Sequence, residues 1–312
     1  MASSFASVRE AAAQLAGAQQ YPAATLYLVS TPIGNLADIS LRALHVLGLV
    51  DAVACEDTRV SGQLLNHLGL HKPLLSLHQH NEMQAAQTVL QRLQQGQRVA
   101  YVSDAGTPAI SDPGAHLVAA VRAAGLRVLP LPGASSVVTA LSVAGDAQSQ
   151  GFHFVGFLPP KGAQRLQAVQ ALANQPSAQV LFEAPHRMAE LARQLADVLP
   201  QHTVTVCREL TKQFESVHTL AAEALPQWLA QDHQRERGEF VVVVHAKAPE
   251  APQSGLPEAA LRVLQVLLRE LPLKQASSLA SELTGAPRKA LYQQALDWKD
   301  SGSPSSEPAD LG

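Results

Sequence analysis

From residue 26 onward, short apolar runs alternate with stretches whose apolar residues recur at helical spacing. Residues 26–29, 51–55, 74–77, 99–102 and 128–131 read as strands, and 39–48, 58–68, 81–95, 112–123 and 134–144 as the helices between them. In 81–95 the apolar set Ala85, Val89, Leu90 and Leu93 lies on one helical face, and Gly96 supplies a stop. This alternation predicts an α/β domain: a mostly parallel sheet covered on both faces. Right-handed crossovers then bring the strand-to-helix loops to one edge, where such sheets bind ligands.

The GDAQSQG stretch at 145–151 reads as a junction. A second α/β unit follows, with strands at 152–155, 179–182, 203–207, 215–219 and 240–245 and helices at 164–173, 186–199 and 220–230. The domain reading is therefore an extension over 1–24, α/β domains over 25–147 and 148–246, and a Pro-rich linker over 247–257. A helical, helix-turn-helix-like module follows over 258–298, built from 258–271, 273–283 and 287–296 around the Thr284-Gly285 turn, and 299–312 reads as a disordered tail.

Composition narrows the function. Hydrophobic residues make up 46% of the 312 residues, enough for more than one core, and no apolar run reaches membrane-spanning length. The start of the chain has neither the basic residues nor the apolar block of a secretory signal, so a soluble, cytoplasmic protein without a membrane partner is expected. A net charge of −3 argues against non-specific coating of nucleic acid but allows a local basic patch. Cys55 and Cys207 stand far apart in apolar runs, with no CxxC pair, and read as buried, reduced thiols.

The chemistry concentrates in loops after three first-domain strands: Ser30-Thr31-Pro32-Ile33-Gly34-Asn35-Leu36, Ser103-Asp104-Ala105-Gly106-Thr107-Pro108 continuing to Asp112-Pro113-Gly114, and Leu131-Pro132-Gly133-Ala134-Ser135-Ser136. Small residues let a ligand approach the backbone, and Pro stiffens the bend. Free N–H groups at the following helix starts can hold polar ligand groups. Together the loops suggest a small-molecule crevice. No GxGxxG, GxxxxGK[ST] or GxSxG is present, which disfavours a dinucleotide finger, a P-loop and a nucleophile elbow.

At these loops the chain resembles the tetrapyrrole methylase superfamily, and within it the 16S rRNA (cytidine 2′-O) methyltransferase branch. The segments that carry the resemblance are LYLVSTPIGNLADIS (26–40), ACEDTR (54–59), SDAGTPAISDPG (103–114), LPGASSVVTALSVAG (131–145), FVGFLPPKGAQR (154–165), LFEAPHRM (181–188), CRELTK (207–212) and RGEFVVVV (237–244). The resemblance implies a homodimer whose two α/β domains hold S-adenosylmethionine between them, acting on a decoding-region cytidine of 16S rRNA or the small ribosomal subunit. It implies cofactor contacts at Pro32, Asp104, Ala105, Gly106, Thr107, Pro108, Pro132, Gly133, Ser135 and Ser136, closed over by Phe157, Leu158, Ala184 and Pro185.

A ribose hydroxyl attacks well only if its proton can leave. Glu56, Asp57, Asp104, His78, Glu183 and Glu209 are all candidate acceptors, with Glu56, Asp57 and Glu209 foremost; carboxylates beside Arg are more often structural ion pairs. Lys161, Arg165, Arg187, Arg208 and Lys212 are expected to face the RNA backbone, the alternative for each being a solvated charge, and Arg288 and Lys289 open a helix that can contact nucleic acid. His78-Gln79-His80 invites a metal reading, but no third ligand stands at a fixed spacing, so no metal is expected. Two rival functions are methylation of a tetrapyrrole or corrinoid precursor and a non-enzymatic RNA-binding assembly factor. The basic helical module speaks against the first and the crevice-forming loops against the second.

Overall fold

The strand residues 52–55 and 99–102 are buried on both faces, which is what the centre of a helix-covered parallel sheet requires. A computed structural model describes residues 2–78, 81–173, 175–246 and 256–300; the tail 301–312 and most of the 247–257 linker lie outside them.

The first lobe runs α1 (Ala2–Ala16), β1 (Thr25–Val29), α2 (Leu41–Leu49), β2 (Ala52–Cys55), α3 (Thr58–His67), β3 (Leu74–Ser76), α4 (Glu82–Gln94), β4 (Arg98–Val102), α5 (Ala115–Ala123), β5 (Arg127–Leu131) and α6 (Ser136–Ala144). Its strands pair in the order β3-β2-β4-β1-β5, and every pair is parallel. Side chains alternate between the faces with the period of two that a strand imposes. Tyr27, Val29, Val53, Cys55, Ala100 and Val102 pack under α2 and α3, while Leu26, Ala54, Val99 and Tyr101 pack under α4 and α5. The extension joins the first of these cores: α1 buries Ala12, and Arg9 donates to the Gly69 carbonyl at 2.5 Å.

Helix α5 starts at Ala115, not at Asp112 as the sequence suggests. Gly114 sits at φ 123°, a conformation that L side chains rarely adopt. A Cβ there would come within 2.2 Å of the Tyr101 ring, which leaves room only for Gly. The helix end is capped from a distance: Glu82 of α4 accepts from the N–H groups of Gly114, His116 and Leu117 at 2.9, 3.1 and 3.4 Å. The 112–114 segment is thereby kept as a loop.

The second lobe runs β6 (Phe152–Phe157), α7 (Gly162–Ala171), β7 (Ala178–Glu183), α8 (Pro185–Val198), β8 (Thr203–Arg208), β9 (Ser216–Ala221), α9 (Leu225–Ala230) and β10 (Phe240–Val244), with strand order β6-β7-β10-β8-β9. Only β6 and β7 are parallel; the other pairs are antiparallel. The strand expected at 215–219 runs on to Ala221, so α9 begins later than the apolar pattern implies. Strand β10 holds the centre. Phe240, Val242 and Val244 face α7, α8 and α9, while Val241 and Val243 meet Val137, Ala140 and Ala144 of α6. The last helix of the first lobe therefore roofs the second sheet, and the two lobes share a core.

The described residues from 256 onward form a separate unit. Its helices α10 (Glu258–Glu270), α11 (Leu273–Thr284) and α12 (Arg288–Asp300) close on a core of Ala260, Leu264, Ala276, Ala280, Leu291 and Ala295. Small residues let these short helices approach closely. A turn at Gly285 separates α11 from α12, the helix-turn-helix arrangement that the sequence suggests.

Candidate active site

The three small-residue loops converge. The backbone of Thr31 and that of Gly106 exchange two hydrogen bonds, 2.9 and 3.0 Å long, which ties the loop after β1 to the loop after β4. The hydroxyls of Ser30 and Thr107 lie 3.1 Å apart, and Thr107 donates to the Ala134 carbonyl at 3.1 Å, drawing in the loop after β5. Gly34 lies so close to the second lobe that a Cβ would sit 2.4 Å from Lys212 Cγ.

Above this floor lies a cavity of about 490 Å³, walled on one side by Ile33, Glu56, Asp104, Ala105, Ser111, Asp112 and Ser136. The opposite wall is Phe157, Phe182, Glu183, Ala184, Pro185, Cys207, Leu210, Glu239, Phe240 and Val241. The size suits a ligand of nucleoside dimensions, for which sites commonly offer about 300–1,000 Å³. Phe157 and Phe182 meet edge to face at 5.6 Å, an apolar surface for a flat ring. The carboxylates opposite it suit a ligand that carries positive charge.

Of the cofactor contacts implied by the motifs, Asp104, Ala105, Ser136, Phe157, Ala184 and Pro185 line this cavity. Thr107 and Pro108 line a second hollow of about 410 Å³ beside Leu28, Ser30 and Pro130. Pro32, Gly106, Pro132, Gly133 and Ser135 belong to the bends that carry the lining residues. Leu158 is buried behind Phe157, and its carbonyl accepts from Arg187 at 2.8 Å. Sequence reasoning missed Ser111, Asp112, Phe182, Cys207, Glu239 and Val241 as lining residues. All of them stand inside the segments that carry the family resemblance, but their residue types give no separate sign that they face a cavity.

The carboxylates sort by partner. Asp57 caps α3 and binds Arg59 at 2.6 Å; the hydrogen bonds from Arg59 hold its carboxyl down to about 2. Burial pushes Glu209 up, but the Glu239 N–H and Lys212 outweigh it, so its carboxyl sits below the usual glutamate range. Glu209 does not line the cavity and acts as a clasp for the 209–215 turn. Glu183 binds Arg165 at 2.7 Å and Arg187 at 3.1 Å. Asp104 Oδ1 accepts from the Asp57 N–H at 3.1 Å. Burial, then Asp112, Asp104 and Asp57, raise Glu56; burial raises Asp112, partly offset by the Ser103 hydroxyl. Cys207 is buried and its thiol is pushed up to about 12, too high to act as a nucleophile.

Several basic residues expected to face RNA are otherwise engaged. Arg165 is a correction: its side chain is 0% exposed and satisfies Glu183, Gln194 and the Pro159 carbonyl. Arg187 also turns inward, to Glu183 and the carbonyls of Leu158 and Pro159. Arg208 bonds Ser216 and the carbonyls of Phe214 and Arg237, and Lys212 bridges Glu209 and Glu239. Lys161 is exposed beside the start of α7, and Arg288 and Lys289 are exposed on the first turn of α12. The His78 N–H bonds Asn81 Oδ1 at 2.8 Å, while Gln79 and His80 lie outside the described residues. Among the described residues no group of His, Cys, Asp and Glu is arranged to hold a metal, and no helix is long and apolar enough to cross a membrane.

Paired α/β lobes with a polar-and-aromatic cleft at the carboxyl ends of the first sheet define a methyltransferase of the tetrapyrrole methylase type. The family model for tetrapyrrole (corrin/porphyrin) methylases matches residues 25–226, and that for the RsmI C-terminal HTH domain matches 254–299. A cobalt precorrin-4 methyltransferase shares the fold at a TM-score of 0.53 and 17% identity, covering 71% of this chain and 95% of that one. A diphthine synthase does so at 0.54 and 15%, covering 72% and 90%. Much nearer are proteins named ribosomal RNA small subunit methyltransferase I: that of Escherichia coli is 47% identical over 87% of this chain and 94% of its own, and that of Pseudomonas aeruginosa 48% over 88% and 97%. The chain belongs to the ribosomal RNA small subunit methyltransferase I family.

Proposed function

We propose that this protein methylates the 2′-oxygen of a cytidine ribose in the decoding region of small-subunit ribosomal RNA, using S-adenosylmethionine. The observation that carries the reading is similarity to relatives of that name along nearly their whole length, joined to a cleft of the right size and chemistry. The second family model strengthens it, because it matches the C-terminal helical unit as well as the catalytic lobes.

S-adenosylmethionine supplies a methyl group already activated by a sulfonium, so the protein needs no covalent nucleophile. Its own residues bind, orient and manage a proton. In this reading Asp104, Ala105 and Ser136 hold the cofactor from the first lobe, and Phe157, Ala184 and Pro185 hold it from the second. Pro32, Gly106, Thr107, Pro108, Pro132, Gly133, Ser135 and Leu158 shape the loops behind those contacts. Lys161, Arg288 and Lys289 supply positive charge for the RNA backbone. We assign the 25–147 and 148–246 segments to the two lobes of one catalytic unit, working as a homodimer in the cytoplasm.

The test is transfer of labelled methyl from S-adenosylmethionine to small ribosomal subunits that lack the modification, with the labelled nucleotide mapped. Label on a decoding-region cytidine ribose supports the reading. Cofactor binding without transfer to small subunits, or transfer to a tetrapyrrole instead, refutes it.

A further inference from the structure

Five carboxylates reach the cavity: Glu56, Asp104, Asp112, Glu183 and Glu239. Three of them are committed. Glu183 is neutralised by two arginines, Glu239 pairs with Lys212, and Asp104 accepts the Asp57 N–H. Glu56 and Asp112 remain, and among the described residues no Lys, Arg or His forms an ion pair with either. Both are partly buried on the same wall.

Charged groups surround them, and from the β3 side His78 follows Leu77, whose N–H donates to the Cys55 carbonyl at 2.8 Å. Glu56 follows Cys55 on β2 and precedes the Asp57–Arg59 pair; Tyr101, Asp104 and Asp112 face it from the β4 side, and Glu183 with Arg187 and Glu239 with Lys212 stand across the cavity. The Tyr101 phenol is pushed up by burial and then by Glu56, Asp112 and Glu82, which puts both carboxylates near one ring. That ring is fixed, because its hydroxyl donates to the Pro113 carbonyl and Glu82 pins the following helix. The charge of Asp112 bears on Glu56, whereas the Ser103 hydroxyl eases ionisation of Asp112. Burial raises both carboxyls, and the negative charge of Asp112 raises Glu56 further.

We propose that Glu56 takes the proton from the ribose hydroxyl during methyl transfer, and that Asp112 is the positioning residue that keeps a second negative charge beside it. This rests on the methyl-transfer reading above. The balance is simple. The ribose oxygen gains a bond to the methyl carbon as that carbon's bond to sulfur breaks, the electron pair stays on sulfur, and the hydroxyl proton passes to the Glu56 carboxylate. One positive charge disappears at sulfur and one negative charge disappears at Glu56, so no net charge develops in the cleft.

The sign of the pH dependence follows. A carboxyl is a competent acceptor only above its own titration point, so the rate falls as pH drops through the Glu56 titration point in the cofactor-bound protein. Three measurements on the full chain test the proposal. Carbon-13 titration of the side-chain carboxyls without ligand should find Glu56 above its ordinary range and bring it down in Asp112→Asn. Single-turnover transfer to small subunits, measured at saturating cofactor, should slow by about 100-fold or more in Glu56→Gln. Asp112→Asn should shift the acid limb of the rate profile to lower pH, which a merely structural role would not do. A wild-type rate in Glu56→Gln, or a Glu56 titration indifferent to Asp112→Asn, overturns the proposal. If the wild-type protein transfers nothing to small subunits, the RNA reading fails instead, and the titration still decides whether the two carboxylates work as a pair.

Discussion

Replacing Arg165 with Met removes one half of a fully buried ion pair. Both side chains are 0% exposed, and the Arg165–Glu183 contact is 2.7 Å. Breaking such a pair costs about 3–5 kcal/mol, because the remaining charge loses its partner in a low-dielectric interior. Glu183 keeps the Ala184 N–H at 2.9 Å and Arg187 at 3.1 Å, so the lower end, about 3 kcal/mol, applies here. For a unit of this size that lowers Tm by about 6–12 °C. The same change removes one of two hydrogen bonds to the Pro159 carbonyl, Arg187 keeping the other at 3.2 Å, and the bond to Gln194, weakening the turn that carries Phe157. Urea unfolding of wild type, Arg165→Met, Glu183→Gln and the double variant gives the coupling directly. A coupling of at least about 1.5 kcal/mol is expected between contacting groups of this kind. A stability loss below about 1 kcal/mol, together with lost RNA affinity and unchanged cofactor affinity, would refute the reasoning and restore Arg165 to the RNA surface.

Gly114→Ala combines a strained φ with a clash against the buried Tyr101 ring, so a loss of about 2–5 kcal/mol is expected by chemical denaturation; a neutral effect would mean that the 112–114 loop re-forms easily. His245 is held neutral chiefly by burial, bonds Thr205 at 2.7 Å and sits below the usual histidine range. The unfolded chain takes up that proton near its ordinary value of about 6.5 while the fold resists, so stability is lost as pH falls through that value. Urea midpoints between pH 8 and pH 5 should drop less in His245→Gln than in wild type, and parallel curves would rule the group out. Cys55 and Cys207 are buried and their thiols raised, so a thiol reagent should label neither in the native protein and both after denaturation; rapid native labelling would contradict their placement.

The strand-to-helix loops were legible because their signal is local: Gly, Pro and small residues placed directly after apolar runs. The pairing of the acids was not. Arg165 and Glu183 are 18 residues apart and meet only when α7 docks beside β7. The start of α5 was misread for the same kind of reason, since its cap, Glu82, comes from another helix 32 residues earlier than Gly114. Alternation of apolar positions identifies a strand but not its direction, so the insertion of β10 between β7 and β8 could not be inferred. Asp112 lies in the same segment as Asp104, at the point where the loop composition and the helical apolar pattern overlap, so its place on the cavity wall depends on the distant Glu82 cap.

The two-bond stitch between Thr31 and Gly106 has a mechanical corollary. Neighbouring bends that share backbone hydrogen bonds cannot flex independently, so this side of the cleft behaves as a fixed anvil. Whatever motion admits nucleoside-sized guests and lets spent ones leave must then be borne by the opposing jaw, where Phe157 ends β6 and Pro185 opens α8.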